Sequence, residues 1–166
     1  MQNLLPAAQR LGALLKDRHE TIAVAESSTG GLISAALLSV PGASAYFIAG
    51  TVVYTLKARR AMLDVPDSAF AAIKSVTEDG AAILARAARD RFGVSWSVAE
   101  IGASGPTGNR YGDPAGHSCI AVAGIVERSM TVETGSSDRI ANMCAFAAAA
   151  LDILTKCVDA APRRAS

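Results

Sequence analysis

Apolar residues recur along the chain at helical and strand spacings in an alternating order. Residues 4–18 place leucines and alanines three and four positions apart, which predicts an amphipathic helix. Residues 21–25 form a short apolar run typical of a buried strand. The remaining pattern predicts helices at 32–39, 58–63, 75–88 and from 137, and strands at 48–54, 97–103, 116–126 and 130–133. This order, with a hairpin late in the chain, predicts an α/β fold: a three-layer α/β/α sandwich on a mixed sheet.

Two local signals refine this prediction. Ser75-Val76-Thr77-Glu78 has the spacing of a capping box, which predicts that the fourth helix opens there. Residues 104–115, rich in Gly, Pro, Asn and Asp, form the longest irregular stretch, and loops of that length in compact domains are often functional.

Composition narrows the class of protein. The 166 residues are 51% hydrophobic and 19% charged, which suits one packed domain over residues 1–160 with a flexible tail at 161–166. A net charge of +1 gives no basic field for nucleic acid. Neither a signal peptide nor an apolar run of membrane-spanning length is visible, so we expect a soluble cytoplasmic protein without membrane contact. The spacing of Cys119, Cys144 and Cys157 favours buried thiols over a metal or redox site.

The turn Ser28-Thr29-Gly30-Gly31 lies between the first strand and the second helix. A glycine turn in this position can aim backbone N–H groups at an anion, with Ser28 and Thr29 as additional hydroxyl donors. The same residues also suit a tight, capped turn without a ligand. Both interpretations stay open at this stage.

A second glycine-rich loop runs from Gly102 to Asn109 and includes Gly105 and Gly108. It permits close approach of backbone to a ligand, but its spacing is not that of a dinucleotide site. Carboxylates are scattered and neither histidine has a ligand partner at helical spacing, so we predict no metal and no cofactor.

Ser44 follows Pro41-Gly42 in a turn of small residues. A serine hydroxyl needs a neighbouring base to become a nucleophile, and Lys57 is the lysine nearest in sequence. Ser44 equally suits a helix cap.

Several segments resemble one known pattern, each at its expected place in the chain. Residues 25–31 resemble A-E-S-C-T-G-G with Ser28 at the cysteine, and residues 41–47 resemble P-G-S-S-x-x-F with Ala43 at the first serine. Further similarities lie at 52–55 (V-x-Y-S), 75–79 (A-V-S-E-E), 102–109 (G-I-A-G-P-x-G-G), 113–118 (K-P-V-G-T-V) and 137–139 (G-D-R). The chain thus resembles the C-terminal amidase domain of the competence- and damage-inducible protein CinA, the nicotinamide-nucleotide amidase family.

This resemblance implies an amidohydrolase of pyridine-nucleotide salvage, which converts the carboxamide of nicotinamide mononucleotide to the acid and ammonia. It carries the family's serine to Ser44 and its tyrosine to Tyr54, with a small-molecule site at the two glycine loops and Arg139. It also implies self-association into a homo-oligomer. On sequence alone, Arg139 could contact phosphate or lie on the surface.

The family's catalytic lysine falls on Arg59, whose guanidinium stays protonated and cannot act as a base. Lys57 could replace it if the backbone there is extended, because residues i and i+2 share a face in a strand but not in a helix. Other family positions are changed at Ile101, Asn109 and Met143. Two hypotheses follow: an active amidohydrolase with Lys57 or another group as base, or a catalytically silent relative that binds a nucleotide-like ligand or acts as an interaction protein.

Overall fold

The computed structural model describes residues 1–163. Its helices are α1 (Leu5–Asp17), α2 (Leu32–Leu38), α3 (Leu56–Leu63), α4 (Glu78–Phe92) and α5 (Arg139–Ala160). Its strands are β1 (Ile22–Glu26), β2 (Phe47–Val52), β3 (Trp96–Ala103), β4 (His117–Ala123) and β5 (Arg128–Glu133). Short 3-10 turns lie at Gln2–Leu4, Ala43–Ala45 and Asp67–Phe70.

The strands form one mixed sheet in the order β2-β1-β3-β4-β5. β2, β1 and β3 run parallel, while β4 and β5 return as antiparallel neighbours. Helices α1, α2 and α5 share one apolar cluster on one face of the sheet, and α3 and α4 share a second cluster on the other. The predicted α/β/α sandwich on a mixed sheet is therefore confirmed.

Trp96 begins β3 and is buried in the larger cluster with 1% of its surface exposed. Its indole N–H donates to Glu20 at 2.7 Å. The backbone of Gly124 packs against the indole ring, and a Cβ at this position would lie 2.2 Å from Trp96 Cε3. The indole is thus fixed by packing and by one hydrogen bond.

Several element boundaries differ from the pattern-based prediction. α4 is capped by Thr77, whose hydroxyl accepts from the N–H of Gly80, whereas Ser75 accepts a hydrogen bond from Arg59. The predicted capping box, with Ser75 as the cap, is therefore wrong, since Thr77 caps the helix. α3 begins two residues before its predicted start because the hydroxyl of Thr55 accepts from the N–H of Ala58.

Helix α5 is long and apolar enough to resemble a membrane span by length and composition. Ten of its residues are buried against the sheet and neighbouring helices, so it packs as a core helix. Beyond it, Ala161 is buried, Pro162 accepts from Arg18, and Arg163 pairs with Asp17. The predicted flexible tail is therefore in contact with the domain over residues 161–163, and residues 164–166 lie outside the described part.

Candidate functional site

The loop that follows β1 is held by two buried carboxylates. Glu26 ends β1 and lies opposite Glu100 on β3, and neither residue is exposed to solvent. Glu100 accepts from the backbone N–H of Ser27 at 3.1 Å and of Thr29 at 3.0 Å. Its hydroxyl donors are Ser28, Thr29 and Ser118. The loop conformation is thus fixed from inside the protein.

The turn at Gly30-Gly31 also has an internal anion. Both glycines adopt positive φ angles, 65° and 103°, which explains their residue type. Glu26 accepts from the N–H groups of Gly31 at 2.9 Å, Ile33 at 3.1 Å and Ser34 at 3.0 Å. Of the two interpretations that the sequence leaves open, these contacts favour the turn without an external anion, because the protein's own carboxylate occupies its donors.

A cavity of about 460 Å³ opens where β1, β2 and β3 end. In sheets with parallel strands, ligands bind beyond the carboxyl ends of the strands, and this volume is typical of a small-molecule site. The polar and charged residues on its walls are Ser27, Tyr54, Thr55, Lys57, Arg59, Asn109, Arg110 and Tyr111, and the apolar ones are Leu56, Val76 and Ile101.

Arg59 is buried in this wall with 7% of its surface exposed. Its Nη1 donates to Ser75 Oγ at 2.8 Å, and its guanidinium carbon lies 5.2 Å from the centre of the Phe70 ring. Its Nε is buried without a hydrogen-bond partner among the described residues. Burial lowers the pKa of Arg59, an effect that Tyr111 partly opposes, but a guanidinium remains protonated near neutral pH.

Lys57 lies in the first turn of α3 and is exposed, two residues before buried Arg59. The backbone here is helical, so the extended conformation considered for Lys57 does not occur. Both side chains nevertheless line the cavity.

Asn109 replaces a family glycine and closes part of the loop over the cavity. Its side-chain oxygen accepts from the N–H of Tyr111 and Asp113, and its Nδ2 donates to Asp113 Oδ2 at 2.9 Å. Lys74, in the segment before α4, forms an ion pair with Asp113 at 2.8 Å. This hydrogen-bond network fixes the loop that carries Arg110 and Tyr111, which line the cavity.

A smaller cavity of about 220 Å³ adjoins the first and shares Tyr54, Gly102 and Asn109 with it. Ser28, Gly105, Gly108 and Arg139 line it. Arg139 Nη1 donates to the carbonyl oxygen of Gly105 at 2.6 Å. The structure therefore brings Arg139 and the second glycine loop to the same end of the sheet as Arg59.

Ser44 lies elsewhere. It is exposed in the 3-10 turn before β2, whereas Tyr54 follows the other end of that strand. A six-residue strand spans roughly 20 Å, so one chain does not bring Ser44 to the cavity. The serine on the cavity wall is Ser27, 6% exposed and directly after β1. Sequence reasoning missed it, although its position at the carboxyl end of a parallel strand is a usable signal.

The fold defines an α/β/α domain with a cavity beyond the ends of its parallel strands, the position at which folds of this class bind ligands. The particular family is given by comparison: the chain belongs to the CinA C-terminal domain family, whose sequence model matches residues 5–158.

Relatives share this assignment. The chain is 34% identical over 166 residues to a CinA-like protein of Chloroherpeton thalassium, covering 94% of this chain and 38% of the relative. It is 37% identical over 152 residues to a CinA-like protein of Chlorobium phaeobacteroides, covering 88% of this chain and 36% of that relative. The crystal structure of competence/damage inducible protein CihA from Agrobacterium tumefaciens superposes with a TM-score of 0.87 at 28% identity, covering 94% of this chain and 95% of that one. The chain thus spans well under half of these two curated relatives.

Proposed function

We propose that this chain is an amidohydrolase that acts on a small amide of the pyridine-mononucleotide type, releasing the acid and ammonia. The observation that carries this proposal is the cavity that collects Ser27, Tyr54, Lys57 and Arg59 at the ends of the parallel strands. The substrate class rests on the family resemblance, and the residues on the cavity walls support it.

In the proposed reaction, the Ser27 hydroxyl attacks the carboxamide carbon and its proton passes to a basic group. Lys57 lines the same cavity and is the proton acceptor in this proposal. Arg59 and the phenol of Tyr54 supply donors for the oxyanion that develops on the carbonyl oxygen. The proton then returns to the departing nitrogen, ammonia leaves, and water hydrolyses the resulting serine ester to the acid.

The experiment is ammonia release from nicotinamide mononucleotide by the purified chain beside Ser27→Ala, Lys57→Ala and Ser44→Ala. We expect Ser27→Ala and Lys57→Ala to abolish turnover and Ser44→Ala to retain it. Turnover that depends on Ser44 and survives Ser27→Ala would instead support the serine that the family resemblance points to. A wild-type chain without turnover contradicts the proposed hydrolysis.

A second candidate function is binding without hydrolysis. It is favoured by Arg59, because a guanidinium at the family's lysine position cannot accept a proton. Calorimetry with the same nucleotide separates the two, since binding without ammonia release identifies a silent relative. The self-association and the pyridine-nucleotide salvage role that the resemblance implies stay predictions, as does the cytoplasmic location expected from the sequence.

A further inference from the structure

We infer that Arg59 makes this cavity a receptor for a carboxylate, so that it binds the acid form of its ligand more tightly than the amide form. This inference rests on the proposed function and names the chemical group that the site prefers. It concerns this chain's own residue, because Arg59 stands where the family pattern has a lysine.

The guanidinium is fixed in place before any ligand arrives. One N–H donates to Ser75 Oγ, and the Phe70 ring lies against the guanidinium carbon. A group held on two sides loses little conformational freedom on binding, which is the general basis of preorganised affinity. Arg59 is therefore a rigid element of the wall.

The same guanidinium has unused donor capacity. Arginine carries five N–H donors in a planar fork, and the buried Nε has no partner among the described residues. An unpaired buried donor is unfavourable. A carboxylate matches the fork because its two oxygens accept two parallel N–H bonds.

The surrounding charge points the same way. Two permanently cationic side chains line the cavity, Arg59 and Arg110, and none of the described lining residues carries a carboxylate. Glu26 and Glu100 directly precede two lining residues in the chain, but they do not line the cavity. Their carboxylates accept hydrogen bonds from the loop after β1. An anionic ligand thus meets uncompensated positive charge.

An amide fits this position less well. Its oxygen can accept one N–H from Arg59, but its NH₂ group is a donor and faces a residue that has only donors. The apolar side chain of Ile101 adds no acceptor to the wall. Replacing NH₂ by a carboxylate oxygen changes a donor–donor contact into a charge-assisted hydrogen bond.

The test is titration calorimetry of the purified chain with nicotinate mononucleotide and with nicotinamide mononucleotide. We expect the affinity for the acid to exceed the affinity for the amide by a factor of about ten or more. Arg59→Met should remove this preference, because it weakens binding of the acid about tenfold more than binding of the amide. Arg59→Lys replaces the planar fork by a single amine and should retain only part of the preference.

Arg60→Met is the matched control. Arg60 is the next residue of α3, but its guanidinium faces outward and pairs with Asp67. We expect this variant to bind both nucleotides as the wild-type chain does. Circular dichroism of each variant checks that its fold is kept.

The possible outcomes separate this inference from the proposed function. Equal affinity for acid and amide overturns the carboxylate preference while leaving the ligand class intact. An equal loss of both in Arg59→Met also overturns it, because Arg59 would then hold the phosphate that the two nucleotides share. If neither nucleotide binds, the proposed ligand class fails. Nicotinate and nicotinamide alone then decide, since selective binding of nicotinate supports the inference and binding of neither overturns it.

Discussion

Glu26 and Glu100 lie directly opposite each other on parallel strands, both fully buried, and one hydroxyl lies between their carboxylates. Thr29 Oγ1 is 2.8 Å from Glu26 Oε2 and 3.0 Å from Glu100 Oε2. Each carboxylate also accepts backbone N–H bonds from the turn after β1. The conformation of this turn therefore depends on two buried acids that are satisfied by hydrogen bonds.

We expect Thr29→Val to destabilise the domain by about 1–3 kcal/mol, because it leaves carboxylate oxygens that have lost a buried donor. The measurement is the free energy of unfolding in urea. Thr155→Val is the control, since that buried hydroxyl donates only to the carbonyl of Leu151 one helical turn earlier. A Thr29→Val variant as stable as this control would contradict the role assigned to the hydroxyl.

Asp113 anchors the loop that carries Arg110 and Tyr111. Burial raises its pKa, but hydrogen bonds from Lys74 and Asn109 lower it by more, so the folded pKa lies below the ordinary value of 3.8. A depressed carboxyl pKa gives a stabilising contribution that is complete above the unfolded pKa. That contribution is lost as the pH falls through the folded value.

Asp113→Asn should therefore cost about 1 kcal/mol at pH 7, a value kept small because Lys74 is half exposed and screened. The difference from wild type should shrink as the pH falls below about 4. Urea unfolding across this pH range measures it. Asp67→Asn, which removes an exposed pair with Arg60, should cost less at pH 7. A pH-independent difference for Asp113→Asn would exclude the ionic contribution.

The contrast between arginine and lysine at position 59 gives a third prediction. A lysine in a desolvated wall can lose its proton and act as a base, which an arginine cannot do. We expect Arg59→Lys to raise ammonia release from nicotinamide mononucleotide about tenfold or more. Arg60→Lys should leave the rate unchanged. A fall in rate for Arg59→Lys would contradict this prediction, because the oxyanion donors lost with the guanidinium would then outweigh the added base.

Gly80 gives a fourth prediction, on stability. A Cβ at this position in the first turn of α4 would lie 2.3 Å from the carbonyl oxygen of Ser75. Glycine to alanine ordinarily stabilises a helix by up to about 1 kcal/mol. Here we expect Gly80→Ala to destabilise by about 1–3 kcal/mol, because the clash is with backbone. Thermal unfolding measures the sign, and a more stable variant would show that the Ser75 segment yields easily.

The sequence predicted the sheet, its layers and most elements because apolar periodicity records which face of each element is buried. It failed at single side chains whose partners lie far along the chain. Ser75 has the spacing of a cap, yet Arg59 takes its hydroxyl and Thr77 caps α4. Which of two neighbouring residues caps a helix depends on tertiary contacts that local spacing does not contain.

The candidate site shows the same division. The second glycine loop could be located by pattern and Arg59 by the family resemblance, and the structure brings them to one end of the sheet, whereas Thr29, Gly30 and Gly31 line neither cavity. The pairing of Glu26 with Glu100 could not be predicted from the sequence. It depends on the register of two strands whose paired residues are 74 positions apart in the chain. Ser27 was missed because a motif match directed attention to Ser44, whereas the position of each serine relative to β2 is a property of the fold.

The position of Trp96 has a practical consequence. It is the single tryptophan of the chain and begins β3, while the cavity lies beyond the other end of that strand. Eight residues of strand separate the two by roughly 25 Å. Its fluorescence emission should therefore report loss of the core on unfolding and remain silent when a ligand fills the cleft. Tryptophan emission thus suits this chain as a stability readout, and occupancy is better followed by calorimetry or by the ligand's own absorbance.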